Sequence, residues 1–276
     1  MTDLRTERLV YVYPDGPVRA LDGVDLHIRP GERVALVGQN GSGKTTLVRH
    51  FNGLLRPTAG RILVDGVDAA TMRVAQLSRR IGLVFQDPDR QIFSGTVRGE
   101  VEFGPRNLGM TAAEREVSVE RALAAVGLES EAGTNPYDLG GARRKLLALA
   151  SVLAMRTPVL ILDEPTTGQD ARGVATVRRV IDAVGAEGRT VVAISHDMEF
   201  VAETFERVAV LRAGRVVLDG PPGEVFAEGA WPALASTYLE PPLAAVVGAR
   251  LGLGPTPTDA TLIEALRPWR YTPAAG

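Results

Sequence analysis

The sequence has no cysteine, which excludes disulfide scaffolds, thiolate zinc sites, iron–sulfur clusters and cysteine nucleophiles. Its three histidines are too few for a histidine-rich metal site. No apolar run approaches the ~20 residues that span a bilayer, and the opening Met1-Thr2-Asp3-Leu4-Arg5 lacks the apolar stretch of a secretory signal. We therefore expect a cytosolic chain. An excess of one charge is missing too. The 31 basic and 33 acidic side chains leave a net charge of -2, without the broad basic face on which nucleic-acid binders depend, so nucleic acid is not an expected partner. Lysine is nearly absent: Lys44 and Lys145 are the only two, and every other base of the 31 is arginine. What is present is ample apolar material. With 45% hydrophobic residues in 276, the chain can bury a substantial core as one or two domains.

That material is distributed as short β-branched runs separated by helical stretches, the pattern of an α/β domain whose parallel strands are buried on both faces. Five runs read as central strands: Arg33 to Val37, Ile81 to Phe85, Val159 to Leu162, Thr190 to Ile194 and Arg207 to Leu211. More polar candidates are Arg8 to Tyr13, Val24 to Ile28, Arg61 to Val64 and Arg215 to Leu218. The turn signals Pro14-Asp15-Gly16-Pro17, Pro30-Gly31 and Ala213-Gly214 suggest hairpins of a partly antiparallel edge sheet. Between Phe85 and Val159 lie roughly seventy residues of helical character, too many for an ordinary connection, so we expect an inserted helical subdomain. Thr111-Ala112-Ala113-Glu114 reads as a capping box there. Val119, Ala122, Leu123 and Val126 form one buried helical face, and Leu146, Leu147, Ala150, Leu153 and Ala154 repeat the pattern. Prolines then cluster towards the C-terminus, where small helices joined by proline-rich turns are expected.

Two motifs carry chemistry. Gly38-Gln39-Asn40-Gly41-Ser42-Gly43-Lys44-Thr45 fits the phosphate-loop pattern, and it follows a predicted strand and precedes a helical stretch that begins at Thr46. Its glycines allow backbone N–H groups to turn inward as a nest for phosphate oxygens, and the helix dipole adds to the attraction. Lys44 is placed to reach the β- and γ-phosphates, and the Thr45 hydroxyl to ligate magnesium. The second motif is the apolar strand Val159 to Leu162 ending in Asp163-Glu164. Asp163 is the metal-side candidate, and Glu164 the candidate to orient and activate an attacking water.

In this context the sequence resembles the ATPase subunits of ABC transporters, over roughly residues 4 to 225. The resemblance implies an α/β P-loop NTPase fold with a mixed sheet core, an antiparallel edge subdomain and an inserted helical subdomain. It divides the chain into an ATPase domain, 1–229, with the insertion at about 88–157, and a C-terminal appendage, 230–276, which we expect to cap a dimer. It implies ATP and Mg2+ as cofactors. Gln86 resembles the glutamine that contacts magnesium and water, Thr167-Gly168-Gln169-Asp170 the loop that brings Asp170 towards nucleotide, and His196 the switch histidine at the γ-phosphate. Tyr13 resembles the aromatic that stacks on adenine. A narrower resemblance, carried by Phe85 to Phe93, Thr96-Val97 and Val101 to Gly109, is to the ATPases of energy-coupling factor importers, including the cobalt and nickel systems. Such machines import vitamins or transition metals. The implied partners are a second ABC ATPase subunit, a transmembrane coupling protein and a small substrate-binding membrane protein. The implied location is the cytoplasmic face of the cell membrane.

One motif departs from the family. Where the family reads Leu-Ser-Gly-Gly-Gln at a helix start and binds the nucleotide of the opposite subunit, this chain offers Leu139-Gly140-Gly141-Ala142-Arg143. A one-residue shift restores both glycines but puts Leu139 at the serine position. In either alignment no hydroxyl is available, Gly140 and Gly141 supply backbone alone, and Arg143 or Arg144 could supply charge instead. The departure suggests one half of an asymmetric heterodimer. A homodimer, a regulatory ATP-binding subunit with little turnover and a generic importer ATPase are the alternatives. A soluble ABC protein of translation or repair would show tandem halves or a long coiled-coil insertion, and neither is present.

Overall fold

The computed structural model describes residues 2–14, 16 and 18–267. Two sheets organise it. The smaller is antiparallel, in the order β2-β1-β4-β5, from β1 (Leu4–Val12), β2 (Arg19–Ile28), β4 (Ala59–Val64) and β5 (Val67–Asp68). The larger has the order β10-β9-β3-β8-β7-β6, from β3 (Arg33–Val37), β6 (Ile81–Val84), β7 (Val159–Asp163), β8 (Thr190–Ile194), β9 (Arg207–Arg212) and β10 (Arg215–Gly220). Its strands run parallel except for the β9–β10 hairpin.

The apolar runs form the larger sheet because both of its faces are covered. Successive side chains of a strand point to opposite faces. Accordingly Ala35, Val37, Leu160, Leu162, Val191 and Ala193 join one core, while Val34, Leu36, Val159, Ile161, Val192 and Ile194 join the other. The first core is completed by helices of the insertion and by α6 (Ala171–Ala186) and α7 (Met198–Thr204). The second is completed by α1 (Lys44–Phe51), the antiparallel sheet and Leu77 of the short α2 (Val74–Leu77). Each fully buried Val, Leu or Ile side chain among them is worth about 1.5–3 kcal/mol relative to exposure.

The insertion is helical, as expected: α3 (Val97–Asn107), α4 (Ala112–Val126) and α5 (Gly141–Leu153). The Thr111 capping box starts α4, with Thr111 Oγ1 accepting from the Glu114 amide at 3.3 Å and Glu114 Oε2 accepting from the Thr111 amide at 2.8 Å. Gly127, at φ 70°, ends it. Beyond β10 follow α8 (Pro222–Val225), α9 (Trp231–Ala235), α10 (Leu243–Arg250) and α11 (Asp259–Leu266). Leu234, Leu239 and Ala245 of this region enter the first core. The last part of the appendage, 268–276, lies outside the described residues.

Three sequence expectations need correction. The run beginning at Ile81 is the outermost strand of the large sheet, not a central one. It is buried because α5 packs so closely that a Cβ on Gly82 would stand 2.5 Å from Val152 Cγ1. The run beginning at Arg215 is the antiparallel edge of this same sheet, and its alternating exposure reflects that position. Pro30-Gly31 is no hairpin: it passes the chain from one sheet to the other. The two-residue β5 is too short to leave a periodic signal.

Candidate functional site

The site lies where β3, β7 and β8 end. The Gly38-to-Gly43 loop joins β3 to α1, and two of its glycines are required by geometry. Gly38 has φ 144° and Gly43, the N-cap of α1, has φ 105°. A Cβ on Gly38 would collide with the Leu211 carbonyl oxygen, and one on Gly43 with the Ala20 carbonyl oxygen. The Ser42 amide donates to the Gln39 carbonyl at 3.1 Å, and the Gly214 amide donates to the Ser42 carbonyl at 3.0 Å, which ties the loop to the β9–β10 turn. Lys44 is buried and donates from Nζ to the carbonyls of Gly38 at 2.6 Å and Gln39 at 3.0 Å. Burial pulls its pKa below the usual lysine range, opposed by the carboxylates of Glu164 and Asp163.

Those two acids arrive on β7 and the residue after it. Asp163 pairs with Ile194 in the parallel ladder, and the Thr45 hydroxyl stands 3.4 Å from its Oδ1. Burial raises the Asp163 pKa above the ordinary carboxylate range; the Thr45 hydrogen bond opposes the rise and the neighbouring Glu164 adds to it. Glu164 has φ 53°, a left-handed conformation that a non-glycine residue holds at a cost of about 1–3 kcal/mol. Its amide is fixed by the Ile194 carbonyl at 3.0 Å, and its side chain is only 6% exposed. Oε2 accepts from the Thr167 hydroxyl at 3.3 Å. Oε1 lies 2.9 Å from His196 Nε2, yet off the line of a hydrogen bond, so it is buried without a donor.

A cleft of about 270 Å³ brings together Tyr13, Asn40, Gly41, Gly43, Lys44, Thr45, Thr46, Gln86, Glu164 and His196 from the predicted set. Gly38, Gln39 and Ser42 build the loop behind this wall, and Asp163 lies beneath Thr45. The Tyr13 hydroxyl is 2.9 Å from Thr46 Oγ1, and its ring meets Tyr11 edge-on at 4.9 Å, which presents one aromatic surface at the cleft. Val18, Ala20 and Ile194 also line the cleft; being small and apolar, they carried no chemical signal in the sequence.

Gly140, Gly141 and Asp170 do not join this cleft within one chain. Gly140 caps α5 with ordinary backbone (φ -62°), and both glycines are exposed, with open space where a Cβ would stand. The Asp170 carboxylate caps α6 through the Gly173 amide at 2.8 Å. The arginines after the glycines are committed elsewhere. Arg143 bonds the Gly127 carbonyl at 3.1 Å and Glu131 at 2.5 Å. Arg144 bonds the Leu139 carbonyl at 2.7 Å and stands 3.2 Å from Asp89.

Two residues passed over in the sequence tie α5 to the acidic turn. Lys145 Nζ donates to the Thr167 carbonyl at 2.6 Å, and Gln169 Nε2 donates to the Ala142 carbonyl at 2.9 Å. Burial lowers the Lys145 pKa, and the charges of Glu164, Asp87 and Asp163 oppose that. The scarcity of lysine was the one available signal: both lysines of the chain converge on Glu164.

The donor set fits a nucleoside triphosphate with a hard divalent cation. The loop is a backbone cradle in which Gly38 and Gly43 leave no room for a Cβ, Lys44 is a buried ammonium, and Thr45 and Asp163 offer adjacent oxygens. Among the described residues there is no group of three or more His, Cys, Asp or Glu side chains able to hold a metal. That suits Mg2+, which is bound through one or two carboxylates plus phosphate and water rather than in an all-protein cage.

Comparison with known proteins agrees with this chemistry. A family model described as ABC transporter matches residues 21–167. The chain is 42% identical over 228 residues to the energy-coupling factor transporter ATP-binding protein EcfA of Methanothermobacter thermautotrophicus, covering 82% of this chain and 72% of that protein. Among solved structures it is similar to cbiO1 of Clostridium perfringens, part of the ABC transporter complex cbiONQ, with TM-score 0.75 and 38% identity over 90% of this chain and 95% of that one. It is also similar to a dimeric ATP-binding cassette in a post-hydrolysis state bound to ADP and phosphate, with TM-score 0.73 and 27% identity over 79% and 98% of the two chains.

Proposed function

Since this chain belongs to the ABC transporter ATP-binding family, in its energy-coupling factor branch, we propose that it hydrolyses ATP beside a second, different ATPase subunit and so drives uptake of a vitamin or a transition-metal ion. The observation that carries the reading is Glu164: a buried carboxylate whose Oε1 has no donor, held in strained backbone beside His196 at the floor of the phosphate-loop cleft. Such an oxygen is free to accept a proton from a water aimed at the γ-phosphorus. Lys44 and the loop amides hold the phosphates, Tyr13 takes the adenine face, and His196 contacts the γ-phosphate. Thr45, Asp163 and Gln86 hold Mg2+, which when bound neutralises developing phosphate charge. Asp170, Gly140 and Gly141 act across the dimer, on nucleotide bound by the partner.

The asymmetry of the pair rests on the altered helix start. A hydroxyl is missing and Arg143 faces Glu131, so the partner's nucleotide would lie opposite a weakened site, while this chain's own intact cleft is completed by the partner. In this reading the chain sits on the cytoplasmic face of the membrane, below a coupling protein and a small substrate-binding membrane protein. No helix among the described residues is long and apolar enough to cross a membrane. The stretch from Gln86 to Pro105 is the docking surface for the coupling protein. Phe93 is 59% exposed there, stacks edge-on with Phe103 at 4.6 Å, and Arg106 lies over Phe103 at 5.7 Å.

Glu164→Gln in the complex with the second ATPase is the test. ATP should still bind and a closed dimer accumulate, while turnover falls by about 10²–10⁴-fold, the range for loss of a general base. Undiminished turnover would transfer hydrolysis to the partner and support the regulatory reading.

A further inference from the structure

We propose that the cavity between α4 and α6 is a binding site for a phosphate-class oxyanion, distinct from the nucleotide cleft. The cavity, of about 130 Å³, is lined by Arg121 of α4, by Arg156 and by Arg189, with Ser118 and Glu187 as its other polar side chains. It lies at the opposite end of the parallel sheet from the phosphate loop. Arg156 and Arg189 precede β7 and β8, whereas the loop follows β3.

The charge count is unbalanced. Arg189 is fixed by Nε to the Thr157 carbonyl at 2.8 Å and by Nη1 to Glu187 at 3.2 Å. Its Nη2 is buried with no partner. Arg121 and Arg156 make no ion pair or side-chain hydrogen bond among the described residues and line the same space. Arg156 holds φ 52° at that rim, a conformation costly for a residue with a Cβ. Three arginines thus line the space beside one carboxylate, Arg121 and Arg156 at its solvent-exposed rim and Arg189 deeper, and that carboxylate is already engaged by Arg189. Guanidinium stays charged in proteins, so burial and the neighbouring Arg156, which both pull the Arg189 pKa down against Glu187, register as an unrelieved cost. An oxyanion relieves it with charge-assisted, fork-like hydrogen bonds, the geometry at which arginine excels. The remaining wall is aliphatic, including Ala125, and the space is below the range typical of sites for larger ligands. Those features select a compact oxyanion and leave no room for a nucleotide.

The test is calorimetric titration of the full chain, saturated with ADP, with inorganic phosphate against a chloride control of equal ionic strength. The nucleotide cleft is common to all the proteins compared, so differences among them read the cavity. Wild type should bind phosphate. Arg121→Ala/Arg156→Ala should weaken that binding about tenfold or more, in line with the loss of charge-assisted bonds. Ala125→Leu, which fills the cavity without altering charge, should weaken it likewise, and thermal melts establish that each variant is folded. Glycerol 3-phosphate, titrated in parallel, separates the sources. Binding equal to phosphate identifies a phosphoryl group on a larger molecule, and weaker binding identifies the free anion. Equal phosphate affinity in wild type and both variants, or no binding beyond chloride, overturns the proposal.

Discussion

The chain contains two glycine-led helix starts, one in the phosphate-loop cleft and one that, in our proposal, meets a partner's nucleotide, and they differ in what enforces the glycine. At α1, Gly43 has φ 105° and a Cβ would strike the Ala20 carbonyl. At α5, Gly140 has φ -62°, and neither it nor Gly141 has any atom within 4 Å of where a Cβ would stand. The first is dictated by the protein's own packing. The second is free within the chain, and in our proposal it is needed only across an interface, where it meets a partner's nucleotide. The asymmetry we propose for the pair therefore arises at the start that the chain's own packing does not enforce.

The widest separation of the two starts comes from alanine. Gly43→Ala forces both backbone and loop to move, and displacement by about 1 Å near reacting groups can cost 10²-fold. Turnover should therefore drop by about that factor, with ATP-analogue affinity falling as well. Gly140→Ala should leave the thermal melt and analogue affinity of the isolated chain within about 0.5 kcal/mol, as for a surface change away from special backbone. A large loss from Gly140→Ala would erase the contrast. Next in size is repair. Gly140→Ser with Ala142→Gly and Arg143→Gln restores a donor of the kind whose loss costs about 10²-fold, so turnover by this chain alone should rise towards that limit. Brisk turnover by the unrepaired chain alone, indifferent to these changes, would sink the asymmetric pair.

The same contrast explains what was legible in the sequence. The phosphate loop, Asp163 and Glu164 could be read because the strands that deliver them are buried on both faces and print themselves as apolar runs. The helical insertion was legible through the Thr111 box and the Val119-to-Val126 face. The order of the strands was not, because local patterns do not say which neighbour a strand takes; hence the misplacing of the Ile81 and Arg215 runs. Nor did the sequence place Arg143, whose direction is set by Glu131 and the exposed carbonyl of Gly127. The tethers of Lys145 and Gln169 were invisible because both side chains donate to backbone carbonyls, whose positions no side-chain pattern encodes.

Those tethers link the α5 start to the acidic turn beside the phosphate loop, and cutting them gives a smaller effect. Lys145→Met with Gln169→Leu removes the bonds to Thr167 and Ala142. Each bond is worth about 1 kcal/mol, so losing both should lower kcat of the proposed heterodimer by up to about thirtyfold with KM for ATP unchanged. Lys145→Arg alone should keep most of the rate. A rise in KM with an equal drop in melting temperature would reduce the tethers to structural props.

The smallest effect concerns what the intact cleft costs before it is used. The pKa of Asp163 is raised by burial, so the folded state holds the proton more tightly than the unfolded chain does. Stability then falls as pH rises from the ordinary carboxylate range through the raised value, because the ionised group is penalised only when folded. At neutral pH without magnesium, wild type bears that whole penalty and Asp163→Asn bears none. The variant should therefore melt higher at neutral pH, and its advantage should shrink as pH is lowered into the acid range. Added magnesium with ATP should reverse the order, since the cation meets the buried charge only in wild type. No such pH-dependent gain should follow from Gly140→Ala, which alters the second helix start without touching a buried charge. If the two variants shift alike, the strain is not localised in the intact cleft, and the distinction between its two ends loses its energetic basis.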